Sequence, residues 1–329
     1  TLARNLPGFP FPDRCSEAEL ADIEKRMLDA FSGMDALEGG AYYRTENLSI
    51  SELRFLAERR LFTPRMFAAT GARGVYVSKD QSLAAMINGE DHLWLRAIKP
   101  GLALHETWTE LNLLDDALLT RMDFAYDERL GFLTSDLGLT GCGLRAAVLL
   151  HVPALEWTCR VGECDERTST SSWTSLRGVC LAGSAPETMQ SFHLEYDLAS
   201  GAAEDSLGAL YQLFNACTLG MNEEEIVFHV THAAGVFQSG EQEARAGLLQ
   251  DMPLHVEDRI CRARGIAREA RVLEFAEAAS VLSLLRFGSE LGMVDDIAPS
   301  QLSALLLSAQ RGHLEVASQP AADMLALNK

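Results

Sequence analysis

The 329-residue sequence has no apolar run approaching the ~20 residues that a membrane-spanning helix needs. No signal-peptide pattern is visible at its start, so no membrane association is expected. Basic residues are in the minority: 28 Lys and Arg stand against 47 Asp and Glu, a net charge of −19. A surface of that sign repels nucleic acid and anionic lipid, and neither is expected as a partner. Such acidity suits plain solubility, and it also suits an arginine-rich partner. Paired cysteines are missing too. The seven present, Cys15, Cys142, Cys159, Cys164, Cys180, Cys217 and Cys261, are odd in number and scattered. Only Cys159 and Cys164 lie close together, with no second pair at zinc-finger spacing. Neither a disulfide framework nor a zinc site is expected; the pattern is that of reduced thiols in a cytoplasmic protein. Internal repeats and low-complexity stretches are absent.

What is present is the composition of an ordinary globular chain, 47% hydrophobic and 23% charged, with material for two domains. The Leu6–Pro12 segment (LPGFPFP) is too rich in Pro and Gly to be regular. Ser16–Phe31 reads as an amphipathic helix, with Ser16 as N-cap and Leu20, Ile23, Met27 and Phe31 at helical spacing. Ser51–Arg60 suggests a second helix. The period then changes. Gly74–Ser78, Ser82–Ile87 and His92–Ile98 read as strands, and Leu104–Met122 as a helix. Phe132–Thr134 reads as a short strand before a glycine-rich loop. Leu144–Leu150 fits helix or strand equally. Residues 159–175 read as a polar loop. The alternation of Phe192, Leu194, Tyr196 and Leu198 predicts a half-buried strand, paired as a hairpin with Ala209–Leu219. From Glu223 onward the pattern is helical, beginning with an acidic first turn that suits the helix dipole. The predicted division is a domain of residues 1–224, α+β with a mainly antiparallel sheet flanked by helices, and a helical domain of residues 225–329. The apolar faces of Ala276–Gly288 and Leu302–Leu307 exceed what one small bundle needs, which predicts a homodimer through that second domain.

Several segments, in order, resemble one known family. They are Leu2–Leu6 (LARNL) with Gly8–Phe11 (GFPF), Met86–Leu93 (MINGEDHL), Asp123–Ser135, Gly141–Pro153, Leu207–Ile226 and Asp258–Gly292. Together they resemble the ATP:guanidino phosphotransferases, the phosphagen-kinase family, and most closely its bacterial protein-arginine kinases. The resemblance implies an antiparallel sheet flanked by helices, an extra C-terminal helical domain, and ATP-dependent phosphorylation of arginine side chains with Mg²⁺.

Transfer of a γ-phosphoryl group to a guanidinium needs fixed cations around the phosphates and a carboxylate to orient and deprotonate the acceptor. Arginine suits the first task because its planar fork never loses its charge. In Asn88-Gly89-Glu90-Asp91-His92, the resemblance makes Glu90 the catalytic carboxylate, beside Asp91, while Gly89 replaces the signature's first glutamate. Much of the implied arginine cage is replaced. Thr1 stands at one arginine's position and Trp94 at another. Arg96 is two residues from Trp94, on the same face of a strand but displaced by ~7 Å. Arg60 stands where the family has a histidine that helps hold adenine. Arg145 matches a clamp arginine. Asp136 replaces a substrate-contacting cysteine. For the last clamp arginine two placements compete: Arg177, in an Arg-Gly pair, and Asp197, reached by counting back from Leu207-Gly208.

These replacements predict a protein-arginine-kinase-like pseudokinase with a binding or regulatory role, Glu90 being a vestigial base and no cofactor being expected. The alternative is a working kinase, using ATP and Mg²⁺, with a rebuilt nucleotide site. A third arrangement would place Glu90, Asp91 and Asp136 in one acidic pocket that binds arginine side chains. An arginine-bearing protein or a regulatory protein is the expected partner. His229 and His232 share a helix face without an evident third ligand, so no metal site is expected.

Overall fold

The computed structural model describes residues 1–63, 66–67, 70–168, 174–179, 195–196, 210–273 and 275–318. The chain divides into two compact units: Thr1–Ala146 with Asn215–Thr231 and Glu315–Lys329, and Ala147–Phe214 with His232–Leu314.

The first unit is built on a five-stranded sheet. Its strands are β1 (Leu2–Arg4), β2 (Ala41–Arg44), β3 (Gly74–Val77), β4 (Leu83–Ile87) and β5 (Leu93–Ala97), in the order β1-β5-β4-β3-β2 with every ladder antiparallel. Three helices accompany it: α1 (Glu17–Phe31), α2 (Ile50–Glu58) and α3 (Leu104–Leu119). Helices α1 and α2 both begin in a capping box. Ser16 and Ser49 accept from the backbone N–H of Glu19 and Glu52, whose carboxylates accept in return from the serine N–H. One face of the sheet presents Ala3, Val75, Val77, Ala84, Met86 and Trp94 to Leu53, Phe55 and Leu56 of α2 and to Leu61, Phe62 and Met66 beyond it. Arg4 lies on the opposite face and reaches α3. A two-stranded ribbon of β6 (Tyr126–Asp127) and β7 (Gly131–Phe132) leads into the glycine loop.

The second unit has a four-stranded sheet of β8 (Ala147–His151), β9 (Thr174–Val179), β10 (Glu195–Tyr196) and β11 (Leu210–Asn215), ordered β10-β9-β11-β8. Short helices α4 (Pro153–Trp157) and α5 (Val161–Thr168) follow β8. The remaining helices are α6 (Glu223–Gln250), α7 (Leu254–Glu269), α8 (Phe275–Glu290), α9 (Pro299–Ser308) and α10 (Arg311–Ala317). Glu241 of α6 is buried and accepts from the N–H groups of Ala154 and Leu155 (3.1 and 2.9 Å), supplying the partners that the first turn of α4 lacks.

The α+β architecture with an antiparallel sheet matches the expectation. Two local readings are corrected, and one that the sequence left open is decided. The segment read as a polar loop after Cys159 contains α5, whose buried Val161, Cys164 and Thr168 form an apolar stripe too sparse to stand out by composition. The segment Leu144–Leu150, open between helix and strand, leads into and forms most of β8. Strand β11 does not pair with β10 as a hairpin; it lies between β8 and β9, and β10 pairs with β9. Position 225 falls inside α6, which runs unbroken across it.

Candidate functional site

The site starts from strand register. Leu2 pairs with Leu95, so Thr1 stands opposite Arg96. On the other side of β1, Thr1 and Arg145 exchange both backbone hydrogen bonds, N to O 2.9 Å one way and 2.7 Å the other. Arg96, Thr1 and Arg145 therefore form one row across three adjacent chain segments. Residues directly opposite in antiparallel strands point to the same face. The backbones of Arg96 and Arg145 are separated by two strand spacings, ~10 Å, with the short threonine side chain between them.

Arg60 closes the third side. It lies in the turn after α2 with a left-handed φ of 61°, and its carbonyl accepts a short hydrogen bond from Arg96 Nη1. Burial, and repulsion from Arg60 and Arg145, push the Arg96 guanidinium down to about 10, while Glu90 pulls the other way. The charges of Arg60, Arg145 and Glu90 thus all act on Arg96.

Glu90 rides on the β4–β5 turn. Asn88 holds that turn with φ 55°, a conformation that Asn tolerates. Its buried side chain donates to Leu20 O (2.9 Å) and Ala72 O (2.7 Å), and Arg73 Nη1 donates to its carbonyl (2.7 Å). Beneath the turn, Met86 and Met66 occupy the space that a side chain at Gly89 would need. A Cβ there would meet Met86 Cε at 3.0 Å and Met66 Sδ at 3.3 Å.

The opposite wall depends on a buried strut. Arg4 Nε and Nη2 donate to the two oxygens of Asp115 on α3 (3.1 and 2.6 Å), and Nη1 donates to Cys142 O (2.9 Å). Its guanidinium also stacks on Phe132, 3.7 Å from the ring centroid. Arg4 thereby ties β1 and α3 to the glycine loop that presents Arg145. Gly143, at φ 73°, is required there: a Cβ would lie 2.6 Å from Arg4 Nη1 and 2.7 Å from Ala3 O.

Several residues singled out in the sequence have other places. Asp91 is buried, and its carboxylate accepts from Asn5 Nδ2 (2.7 Å), Ser135 N (2.6 Å) and Trp94 Nε1 (2.7 Å). It is a structural joint and not a group that could act on a substrate. Trp94 is core, packed with Ala3 and Met86. Asp136 is exposed and turns back on its own loop, accepting from Gly138 N at 2.9 Å. The three acids therefore do not form one pocket. Cys142 is buried, which raises its thiol to about 11 and removes it as a nucleophile. Arg177 lies on β9 in the second unit, and Asp197 lies outside the described residues. His92, beside Asp91, accepts from Leu6 N through Nδ1 (2.9 Å) and bonds Pro10 O through Nε2 (2.8 Å), which fixes a neutral ring with its proton on Nε2. Among the described residues no group of three or more His, Cys, Asp or Glu could hold a metal ion.

The strut, the Asp91 joint and the partnership of Arg60 with Arg96 were not legible in the sequence. The only signal for Arg96 was its position two residues beyond Trp94 on a strand.

The comparisons with known proteins bear on the family and the fold. The family model for the C-terminal catalytic domain of ATP:guanido phosphotransferases matches residues 22–185, and that for the C-terminal domain of the protein-arginine kinase McsB matches residues 253–325. A protein-arginine kinase of Symbiobacterium thermophilum is 33% identical over 95% of this chain and 84% of its own length. One from Halothermothrix orenii is 32% identical, with the same coverage. Among solved structures, the substrate-free duplicated taurocyamine kinase from Schistosoma mansoni superposes with a TM-score of 0.59 at 21% identity, over 80% of this chain and 36% of that longer one. A lombricine kinase gives a TM-score of 0.59 at 20% identity, over 75% of this chain and 65% of its own. At that identity the two structures speak for the fold alone.

Proposed function

The chain belongs to the protein-arginine kinase family of ATP:guanidino phosphotransferases, and from that premise we propose that it is a pseudokinase: an anion-binding, regulatory member that does not transfer phosphate to arginine. The observation that carries this reading is Trp94. The position where the family has a phosphate-holding arginine is filled by a core side chain whose N–H is held by buried Asp91. A rotamer change cannot return a cation there. Thr1 is neutral at the second such position, and exposed Asp136 stands where the family has its substrate-contacting cysteine. Loss of one charge-assisted bond to an enclosed phosphate costs about 2–5 kcal/mol. Two such losses together slow a phosphoryl transfer by roughly 10³-fold or more.

The arginine row keeps anion binding. Arg96, Arg145 and Arg60 could hold phosphoryl oxygens, and Mg²⁺ would arrive on the phosphates and not in a protein cage. Glu90, whose charge acts on Arg96, is on this reading the remnant of the acceptor's carboxylate. The decisive assay is transfer of radiolabelled γ-phosphate from MgATP to an arginine-rich protein. No acid-labile label is expected. Label that disappears in Glu90→Gln would refute the reading.

One observation favours a second reading, a working kinase with a rebuilt nucleotide site that uses ATP and Mg²⁺. The cations missing at Thr1 and Trp94 reappear one strand across from Thr1 at Arg96 and, in the turn after α2, at Arg60. The same assay separates the two.

As partners we propose a second copy of this chain, joined through residues 225–329, and an arginine-bearing or regulatory protein, in the cytoplasm; nucleic acid and membranes are not proposed. Among the described residues no helix is long and apolar enough to cross a membrane. Sedimentation of the full chain at micromolar concentration tests the dimer, and a monomer would refute it.

A further inference from the structure

Three short segments of the first unit meet at Gly141. From the β6–β7 ribbon, Phe132 exchanges both backbone hydrogen bonds with Gly141 (2.7 and 3.2 Å). From the segment before α6, Thr218 N donates to Gly138 O (3.0 Å) and the Thr218 hydroxyl to Thr140 O (2.9 Å). Each segment shows one large aliphatic side chain to water at this junction: Leu130 is 47% exposed, Leu137 84% and Leu219 48%. Their backbones are close together. A Cβ on Gly141 would lie 3.3 Å from Leu219 Cα, and one on Gly131, next to Leu130, would lie 2.5 Å from Gly141 O. Leu137 adjoins Gly138, which is bonded to Thr218 beside Leu219. Each step along the chain is ~3.8 Å, so one partner segment can cover all three leucines. Hydrogen bonds fix the segments that carry them, so their exposure belongs to the junction itself. A fixed apolar cluster with a polar rim marks an interaction surface.

The rim is acidic. Asp127 accepts from the N–H groups of Arg129 and Leu130 (2.8 and 3.0 Å), and Asp136 from that of Gly138 (2.9 Å). The charge of Glu223 acts on the thiol of Cys142, beside Gly141. Glu128 and Glu224 are exposed next to these groups, and the exposed cation of the ribbon turn, Arg129, is outweighed by them. We propose that this junction docks a cationic amphipathic segment of a partner protein, its aliphatic face on Leu130, Leu137 and Leu219 and its basic side chains on the acidic rim. An acidic segment would meet like charge there. A second copy of this chain, placed by a two-fold contact, would set the same acidic rim against itself. The proposal rests on the reading of a regulatory partner and gives that partner's chemistry. It calls on neither the arginine row nor Glu90, and lysine serves it as well as arginine.

The test is fluorescence anisotropy of the full chain with a labelled amphipathic peptide of leucine and lysine. A serine–lysine peptide of equal charge and a leucine–glutamate peptide are the controls. The leucine–lysine peptide is expected to bind about tenfold or more tighter than either control, and to weaken as salt is raised. Leu137→Ser/Leu219→Ser should weaken it about tenfold. Both side chains face water, so the melting temperature should not change. Leu130→Ser, made separately, should weaken it about threefold or more, and Ile50→Ser, at an exposed position on α2, should leave binding unaltered. Equal binding of the serine–lysine peptide would overturn the inference, because charge alone would then explain it. So would failure of the leucine–lysine peptide to bind, or binding that the leucine variants leave unaltered. A change of oligomeric state in the double variant would also overturn it, by giving the surface to a second copy. Phosphate transfer to arginine would refute the pseudokinase reading and leave the docking surface standing; failure of the peptide to bind would do the reverse.

Discussion

Replacing Asp115 by leucine tests whether a buried ion pair holds the arginine row in place. The side chains of Arg4 and Asp115 are 2% and 4% exposed, and their closest approach is 2.6 Å. Removing the carboxylate leaves a guanidinium that water cannot reach, still bonded to Ala3 O and Cys142 O but with no counter-charge. Breaking a buried pair from one side costs about 3–5 kcal/mol. The double variant Arg4→Met/Asp115→Leu removes both charges. It should cost only about 1–3 kcal/mol, the remaining loss being the unpaired carbonyls of Ala3 and Cys142. Urea unfolding followed by tryptophan fluorescence measures both. The row supplies a second readout: Arg4 grips the loop that ends at Arg145, so Asp115→Leu should also weaken binding of MgATP or another anion at the row, although it touches no ligand. A single-variant cost below about 1 kcal/mol would refute the reasoning, since a surface-like pair would then have been mistaken for a buried one. So would a double variant worse than the single.

Gly143→Ala should destabilise by about 2 kcal/mol or more in urea unfolding, because φ 73° is strained for alanine and the new Cβ strikes Arg4 and Ala3. Trp94→Phe keeps an aromatic ring, smaller than the indole, and removes the N–H from Asp91. It should cost about 2 kcal/mol in urea unfolding, and an unchanged midpoint would mean that the indole bond is not formed. His151 bonds Ser283 Oγ at 3.2 Å, and burial together with Arg286 and Arg245 pushes it down to about 3. The unfolded chain then binds the proton more readily than the folded one. The stability associated with neutral His151 is therefore complete above its ordinary value and is lost as pH falls, by about 2 kcal/mol between pH 7.5 and 5. Glu290, raised by burial, acts in the opposite sense, so the comparison is between the parent chain and His151→Gln. The variant's stability should fall less over that interval, and identical slopes would contradict the assignment.

Local patterns determined much of the fold and none of the site's final geometry. Helix α1 was legible because its N-cap, capping box and apolar stripe are encoded within one stretch. The β3–β5 strands were legible because short apolar runs, largely buried, are bounded by polar turns. The ordered motifs, from the Leu2–Leu6 segment to Asp258–Gly292, determined the family. What only the tertiary structure decided depends on register and on groups far apart in the chain. Arg4 and Asp115 are 111 residues apart, and no spacing rule joins them. Glu90 and Asp91 are neighbours in one motif, yet the charge of one acts on Arg96 and the other is sealed by Asn5, Ser135 and Trp94. Arg96 joined the row because Leu2 pairs with Leu95; a shift of one residue would have turned it to the other face. Side-chain direction in a sheet reverses with each residue of register. Register is set by packing of the whole layer, so the placement of these charges could not be read from the linear order of residues.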